Sequence, residues 1–240
     1  KKWNLQSIEK YLDYVSSNQA ETYHLINSSN IHVSSFFRDS FTFAILEHVI
    51  IPEIIQRKLS TNRKEIRLWS AGCAAGQEAY SLAILMNEKL NDYEGKLDFR
   101  IFATDISEEI LTQANLGSYR ERDVSNVSFS RLTRWFSKQD SNYFIDNVLK
   151  TKISFSKQNL LSQKIKSPPD SLYGDFDIIF CSNVLLYYKP EIRKEILDRL
   201  NYSLSARGYL IVDKSEIEMI QFNDYRVAYP HTSIFHLDWI

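Results

Sequence analysis

The chain has 240 residues, 44% of them hydrophobic and 25% charged, and its formal net charge is -1. That length holds one large core with additions, the composition excludes a disordered chain, and the near-zero charge leaves no field to gather a polyanion, which argues against nonspecific nucleic-acid binding. The two cysteines, Cys73 and Cys181, lie outside any metal-ligand spacing, so a reducing compartment and no metal site are expected.

The N-terminus, Lys1-Lys2-Trp3-Asn4-Leu5, lacks the apolar core and small-residue cleavage site of a signal peptide. Leu5, Ile8, Leu12, Val15, Tyr23 and Leu25 recur at roughly helical intervals and predict two short amphipathic helices. Residues 40–59 predict a longer one, kinked or split at Pro52, where a backbone donor is missing. The most apolar stretch, residues 41–55, is broken by Glu47, His48, Pro52 and Glu53, so it does not read as a membrane span. A soluble, cytoplasmic protein without membrane insertion is expected.

From Ile66 onward short apolar runs alternate with helical segments. Strands are predicted at Ile66–Ala71, Phe99–Thr104, Phe176–Ser182 and Tyr209–Val212, and helices at Gln77–Leu90, Glu108–Asn115 and Pro190–Leu204. This rhythm means βαβ units and a mostly parallel, doubly wound sheet covered on both faces. The segments around Trp135-Phe136, Tyr143-Phe144-Ile145 and Ile153-Ser154-Phe155 flank the turn-prone Asp140-Ser141-Asn142 and read as a small antiparallel excursion. The tail from Tyr225 to Trp239, with Pro230 between two β-rich runs, should close the sheet with an antiparallel hairpin. The expected organisation is an N-terminal helical segment over residues 1–60 and an α/β domain over residues 61–240, with the β-subdomain inserted at about 131–159.

Two of the chain's six glycines sit in the turn Ser70-Ala71-Gly72-Cys73-Ala74-Ala75-Gly76, after the first strand and before a helix. Such a turn is either only a tight connection or a place where backbone must lie close to a ligand. A dinucleotide fingerprint wants glycine at Ala71 and Cys73, whereas small residues at Gly72, Ala74 and Gly76 suit an adenosyl cofactor without a pyrophosphate. Asp105, at the end of the second strand, is placed either to accept hydrogen bonds from both ribose hydroxyls or to cap the following helix, a duty that Ser107 can perform alone. Asn183 and Tyr187 follow the apolar strand predicted to end at Ser182, and ligands in open α/β sheets bind outside the carboxyl ends of strands. These residues therefore point to one crevice.

Several further motifs fall in register with these. Ser34-Ser35-Phe36-Phe37-Arg38-Asp39, the loop Ser70 to Gly76 with Glu78, Tyr80 and Ser81, Ala103-Thr104-Asp105-Ile106, Asn159-Leu160-Leu161, Asn183 to Tyr188 and Ser215-Glu216 stand in one order. From about residue 20 to 220 that order resembles CheR methyltransferases, the chemotaxis-receptor glutamate methyltransferases that use S-adenosylmethionine. The resemblance implies a Rossmann-like class I methyltransferase fold with a small antiparallel β-subdomain. It implies methyl transfer to glutamates in the cytoplasmic domain of a chemotaxis receptor, yielding a methyl ester and S-adenosylhomocysteine. Ser34 and Arg38 would reach the cofactor, with Arg38 near the methyl group and the substrate carboxylate, and His32 could touch the cofactor. Gly72 and Glu78 would line the amino-acid portion, Asp105 the ribose, and Asn159 with Leu160 the adenine. Asn183 and Val184 would run along the cofactor, and Tyr187 would shape the methyl-transfer slot.

This chain departs from the family pattern at several of these places. His32 stands for Asn, Ala74-Ala75 for Ser-Thr, Gln77 for Glu, Ala79 for Pro, Ser182 for Arg, and Asp213-Lys214 for Gly-His. The family also carries more helix ahead of residue 1. Two other readings stay open at this point: a methyltransferase of the same fold acting on another protein or a small molecule, and a noncatalytic module that binds the cofactor or its product. No Gly-x-Ser-x-Gly elbow, paired-His metal motif or phosphate loop supports another enzyme class.

Overall fold

The computed structural model describes residues 10, 11, 14, 34–61, 63–93, 95–162, 166–220 and 225–237. The chain divides into two units, Lys1–Val33 and Ser34–Ile240. Of the first, only Lys10, Tyr11 and Tyr14 are described, and all three are helical. The helices expected over residues 5–27 otherwise lie outside the described residues, as does His32.

The second unit begins with α1 (Ser40–Ile45), a π-helical turn (Leu46–Ile50) and α2 (Ile51–Leu59). Pro52 neither breaks nor sharply splits this run. The turn just ahead of it widens instead, and the Ile51 amide donates to the Leu46 carbonyl five residues back, as a π bulge does where proline has removed the next donor.

Ten strands follow with their helices. The main sheet has the order β6-β2-β1-β7-β8-β10-β9, built from β1 (Glu65–Ala71), β2 (Asp98–Asp105), β6 (Ile153–Lys157), β7 (Phe176–Phe180), β8 (Leu204–Ile211), β9 (Tyr225–Val227) and β10 (Ile234–Leu237). The first five of these run parallel, and β10 pairs antiparallel with both β8 and β9. The helices are α3 (Gln77–Leu90), α4 (Glu108–Leu116), α5 (Phe129–Trp135), α6 (Asn147–Lys150), α7 (Pro190–Ser203) and α8 (Ile217–Ile220). This is the doubly wound, mostly parallel sheet with an antiparallel hairpin at its C-terminal end that the alternating pattern predicts.

Side-chain alternation divides the core. Ile66 and Leu68 of β1, Ile101 and Ala103 of β2, and Ile178 and Phe180 of β7 join one buried cluster with Ile50, Ile54 and the α3 residues Leu82 to Met86. Their neighbours Trp69, Ala71, Phe102, Ile179 and Cys181 point to the other face, where Ile196, Leu197 and Leu200 of α7 cover them. Successive residues of a strand face opposite ways, so strands buried on both faces must be apolar nearly throughout.

One strand differs from its expected place. Ile153–Lys157 was expected in the antiparallel excursion but pairs parallel with β2 at the edge of the main sheet, Ile153 opposite Ile101. The small sheet is instead β3-β5-β4, made of Ser118–Arg120, Asn142–Ile145 and Phe136–Gln139. The segment following β2 and α4 supplies the missing strand, because Gly117 ends α4 in left-handed backbone and turns the chain into β3.

Candidate functional site

Strand order reverses between β1 and β7: the chain proceeds from β1 towards β2 and β6 on one side and from β7 to β8 on the other. A crevice opens at the carboxyl ends of the strands at such a switch point. The loops after β1, β2 and β7 all end there, and hydrogen bonds between the first two tie expected residues together.

After β1 the Gly72 and Cys73 amides both donate to the Thr104 carbonyl, at 2.7 and 3.0 Å, which folds the loop over the end of β2. Gly72 has φ +80, Ala74 φ +47 and Gly76 φ +87, so the turn is left-handed at alternate positions. A Cβ added to Gly72 would lie 2.4 Å from Val184 Cγ2, so the loops after β1 and β7 touch through backbone that only glycine can supply. Tyr119 of β3 donates its hydroxyl to the Ala75 carbonyl at 2.7 Å and props the loop from behind.

Asp105 is buried, and its carboxylate links two segments: Oδ2 accepts from the Ala74 amide at 3.0 Å and Oδ1 from the Ser107 amide at 3.0 Å. The cap of α4 is Ser107, whose hydroxyl accepts from the Ile110 amide. Asp105 is thereby free of that duty, and each carboxylate oxygen keeps a further lone pair for a hydroxyl donor. Beside it, the Gln158 amide donates to the Asp105 carbonyl at 2.9 Å and brings the next residues, Asn159 and Leu160, to the same end of the sheet. Asn159 is exposed, with its side-chain oxygen turned back to accept from the Leu161 amide, and Leu160 is buried among Trp69 and Phe102.

After β7, Asn183 takes left-handed backbone at φ +61 and leads into the 3-10 turn Leu185–Tyr187, with Tyr187 exposed. One buried carboxylate holds this loop. Glu216 accepts from the amides of Asn183 at 2.9 Å and Asp213 at 3.0 Å on Oε2, and from that of Leu186 at 3.3 Å on Oε1. The spacing Asp213-x-x-Glu216 is a capping box, a signal visible in the sequence that composition and periodicity alone do not assign to the crevice.

Glu78, in the first turn of α3, receives the Ser70 hydroxyl at 2.5 Å, which sets it against the end of β1. Burial pushes its carboxyl up to about 8; Ser70 and the Arg38 guanidinium lower it, and the charge of Glu216 raises it. Arg38 is exposed, and its charge reaches Asp213 as well as Glu78. Burial pushes Asp213 up, but hydrogen bonds from Ser215, then the Arg38 charge and a hydrogen bond from the Asn183 side chain, outweigh it and hold that carboxyl below its ordinary value. Ser34 is half-buried at the start of this unit.

Among the described residues there is no group of three or more His, Cys, Asp or Glu side chains arranged to hold a metal ion. No helix among them is long and apolar enough to cross a membrane. The acceptor set instead suits a sulfonium nucleoside: an acid with spare lone pairs for two hydroxyls at Asp105, and a half-buried carboxyl at Glu78 that gains from an ammonium partner. Pairing with an ammonium favours the carboxylate, so binding should release a proton from Glu78, and affinity should rise with pH up to about 8 and then level off. Calorimetry with S-adenosylmethionine between pH 6.5 and 8.5 checks this. Glu78→Gln should abolish the slope and weaken binding at the upper end by about 10- to 100-fold, the worth of a charged hydrogen bond.

Comparison with known proteins agrees with this chemistry. The family described as CheR methyltransferase, SAM binding domain, matches residues 32–232. A Chemotaxis protein methyltransferase of Borreliella burgdorferi is 30% identical over 88% of this chain and 74% of its own length. Chemotaxis protein methyltransferase 1 of Pseudomonas aeruginosa is 32% identical over 80% of this chain and 68% of its own. An uncharacterized 104.1 kDa protein of Rhodobacter capsulatus is 32% identical over 90% of this chain, which spans only 22% of that protein. With the crevice built from the loops after β1, β2 and β7, and the family match running through all three, the chain belongs to the CheR family of S-adenosylmethionine-dependent methyltransferases.

Proposed function

We propose that the chain transfers a methyl group from S-adenosylmethionine to glutamate side chains in the cytoplasmic domain of a chemotaxis receptor, and that it works in the cytoplasm. The observation that carries the reading is the Arg38 charge, near enough to lower the Glu78 and Asp213 carboxyls: a cation suited to holding an incoming carboxylate stands near Glu78, the acid assigned to the amino-acid end of the cofactor. The names of the two chemotaxis methyltransferases above support the choice of receptor.

The cofactor, when bound, supplies a methyl group on a sulfonium that is its own leaving group. A glutamate side chain is ionised at neutral pH, so no strong general base is needed. The protein's task is to orient and to exclude water. Arg38 holds the substrate carboxylate, while Tyr187 shapes the slot through which its oxygen approaches and Val184 runs along the cofactor. Asp105 binds the ribose, Asn159 and Leu160 border the adenine, and Glu78 with Gly72 lines the amino-acid end. Ser34 and Asn183 complete the wall, and His32 is assigned to it from the resemblance alone. Transfer would make a C–O bond and break the C–S bond, cancelling the carboxylate's negative charge against the sulfonium's positive charge, so a dry, oriented slot would favour it.

The test is transfer of radiolabelled methyl to receptor-enriched membranes. A glutamate methyl ester releases its label as volatile methanol in base, whereas a methylated amine does not. Arg38→Ala should slow transfer about a hundredfold, the scale of a misplaced reacting group, while changing the dissociation constant for S-adenosylmethionine far less. Base-stable label, transfer only to non-receptor proteins, or equal losses in rate and binding would overturn the assignment.

A further inference from the structure

Arg38 sits in a segment whose backbone does not hold itself. Its neighbour Phe37 takes φ +49, a left-handed conformation that a bulky residue adopts only when its surroundings impose it. Several contacts impose it here. The Phe37 amide donates to the buried Ser81 hydroxyl at 3.0 Å, and its ring packs edge-on against Phe43 at 5.2 Å. Phe36, one residue earlier, packs edge-on against Tyr119 at 4.8 Å and Phe136 at 5.4 Å, residues of the small antiparallel sheet. On the far side, Asp39 pairs with Lys214 at 3.3 Å and accepts from the Thr42 hydroxyl at 2.7 Å.

One contact in this set is chemically unlike the rest. The Arg131 guanidinium lies 5.0 Å from the centre of the Phe37 ring. It is pinned there by two carboxylates from separate helical segments: Nη2 and Nε to Glu88 Oε2 at 2.8 and 3.0 Å, and Nη2 to Glu47 at 2.9 Å. Glu88 is itself fixed by the Trp135 indole nitrogen at 3.0 Å. A planar guanidinium held by one fork and a further single bond is a rigid plate, and lysine cannot reproduce it. Arg131 belongs to α5, which runs directly into the small sheet.

We infer that Arg131, clamped by Glu88 and Glu47, is a positioning residue for methyl transfer: stacked on Phe37, it fixes the left-handed backbone that aims Arg38 into the cleft. The inference rests on the reading that Arg38 holds the substrate, and a double-mutant cycle separates the two. Arg131→Met should lower kcat for transfer to receptor-enriched membranes about tenfold with little change in the affinity for S-adenosylmethionine, a typical coupling between interacting residues. Arg131→Lys should recover less than half of that loss. In an Arg38→Ala background, where no guanidinium remains to be aimed, Arg131→Met should cost almost nothing further. A merely structural role would lower Tm but multiply the two losses. Equal factors in both backgrounds, with Arg38→Ala itself severely slowed, sink this inference and leave the Arg38 assignment standing; normal transfer by Arg38→Ala sinks both. Glu88→Gln, which keeps the guanidinium but loosens its fork, reads the same coupling if Arg131→Met does not fold.

Discussion

Gly72→Ala should weaken binding of S-adenosylmethionine about fivefold to a hundredfold in a protein that still folds. The added Cβ meets Val184 Cγ2 at 2.4 Å, and valine, branched at Cβ, has little rotamer freedom with which to withdraw. The backbone at φ +80 adds strain for any L side chain, together about 1–3 kcal/mol. Relief requires the loop after β1 to part from the loop after β7, the two walls that the cofactor must bridge. The strain then appears as a loss of affinity of about fivefold to a hundredfold. Val184→Ala added to Gly72→Ala removes the collision but not the unfavourable φ, so it should restore binding only partly. Calorimetry on the single and double variants decides the matter; unchanged affinity in the single variant would mean that these loops do not frame the cofactor.

The second large effect belongs to stability. Glu216 is fully buried, and its two oxygens satisfy the amides of Asn183, Asp213 and Leu186. Truncation to alanine strands those donors in the interior at about 1–3 kcal/mol for each that water cannot reach, so Glu216→Ala should lose about 3–5 kcal/mol in urea denaturation. Glu216→Gln keeps one acceptor and should lose less. It should also have a signature at a distance. The Glu216 charge helps raise the Glu78 carboxyl, so its removal should move the pH at which cofactor affinity levels off to a value below about 8. A glutamine variant as stable as the parent, with an unshifted pH profile, would show that Glu216 neither holds the Asn183 loop nor feels Glu78.

Much of this was legible before the structure. Helix α3 spans Gln77–Leu90 as its pattern predicts, because its start is fixed by Gly76 and its apolar side chains recur without interruption. The strands at the centre of the sheet are equally plain, since burial on both faces demands unbroken apolar runs such as Ile178 to Cys181. The sheet margins are another matter. Ile153-Ser154-Phe155 alternates as any half-buried strand does, and alternation does not say whether the partner runs parallel or antiparallel. Ser118–Arg120 is too short and polar to announce itself as a strand. At the crevice, small residues and the two carboxylates Asp105 and Glu78 stand out by position, but the supporting contacts do not. No local pattern reports that Arg131 meets Phe37, or that Tyr119 reaches Ala75 across 44 residues, because those pairings exist only after the sheets assemble.

Among the described residues, six without glycine's freedom take left-handed backbone, and Phe37, Ala74 and Asn183 are three of them, one at each corner of the crevice. Tension is therefore stored at the opening itself. Substitutions chosen only to raise the melting temperature would gain most by relaxing these corners, and a chain so relaxed would be sturdier yet blunter, because the spring that keeps the jaws set would have been let down.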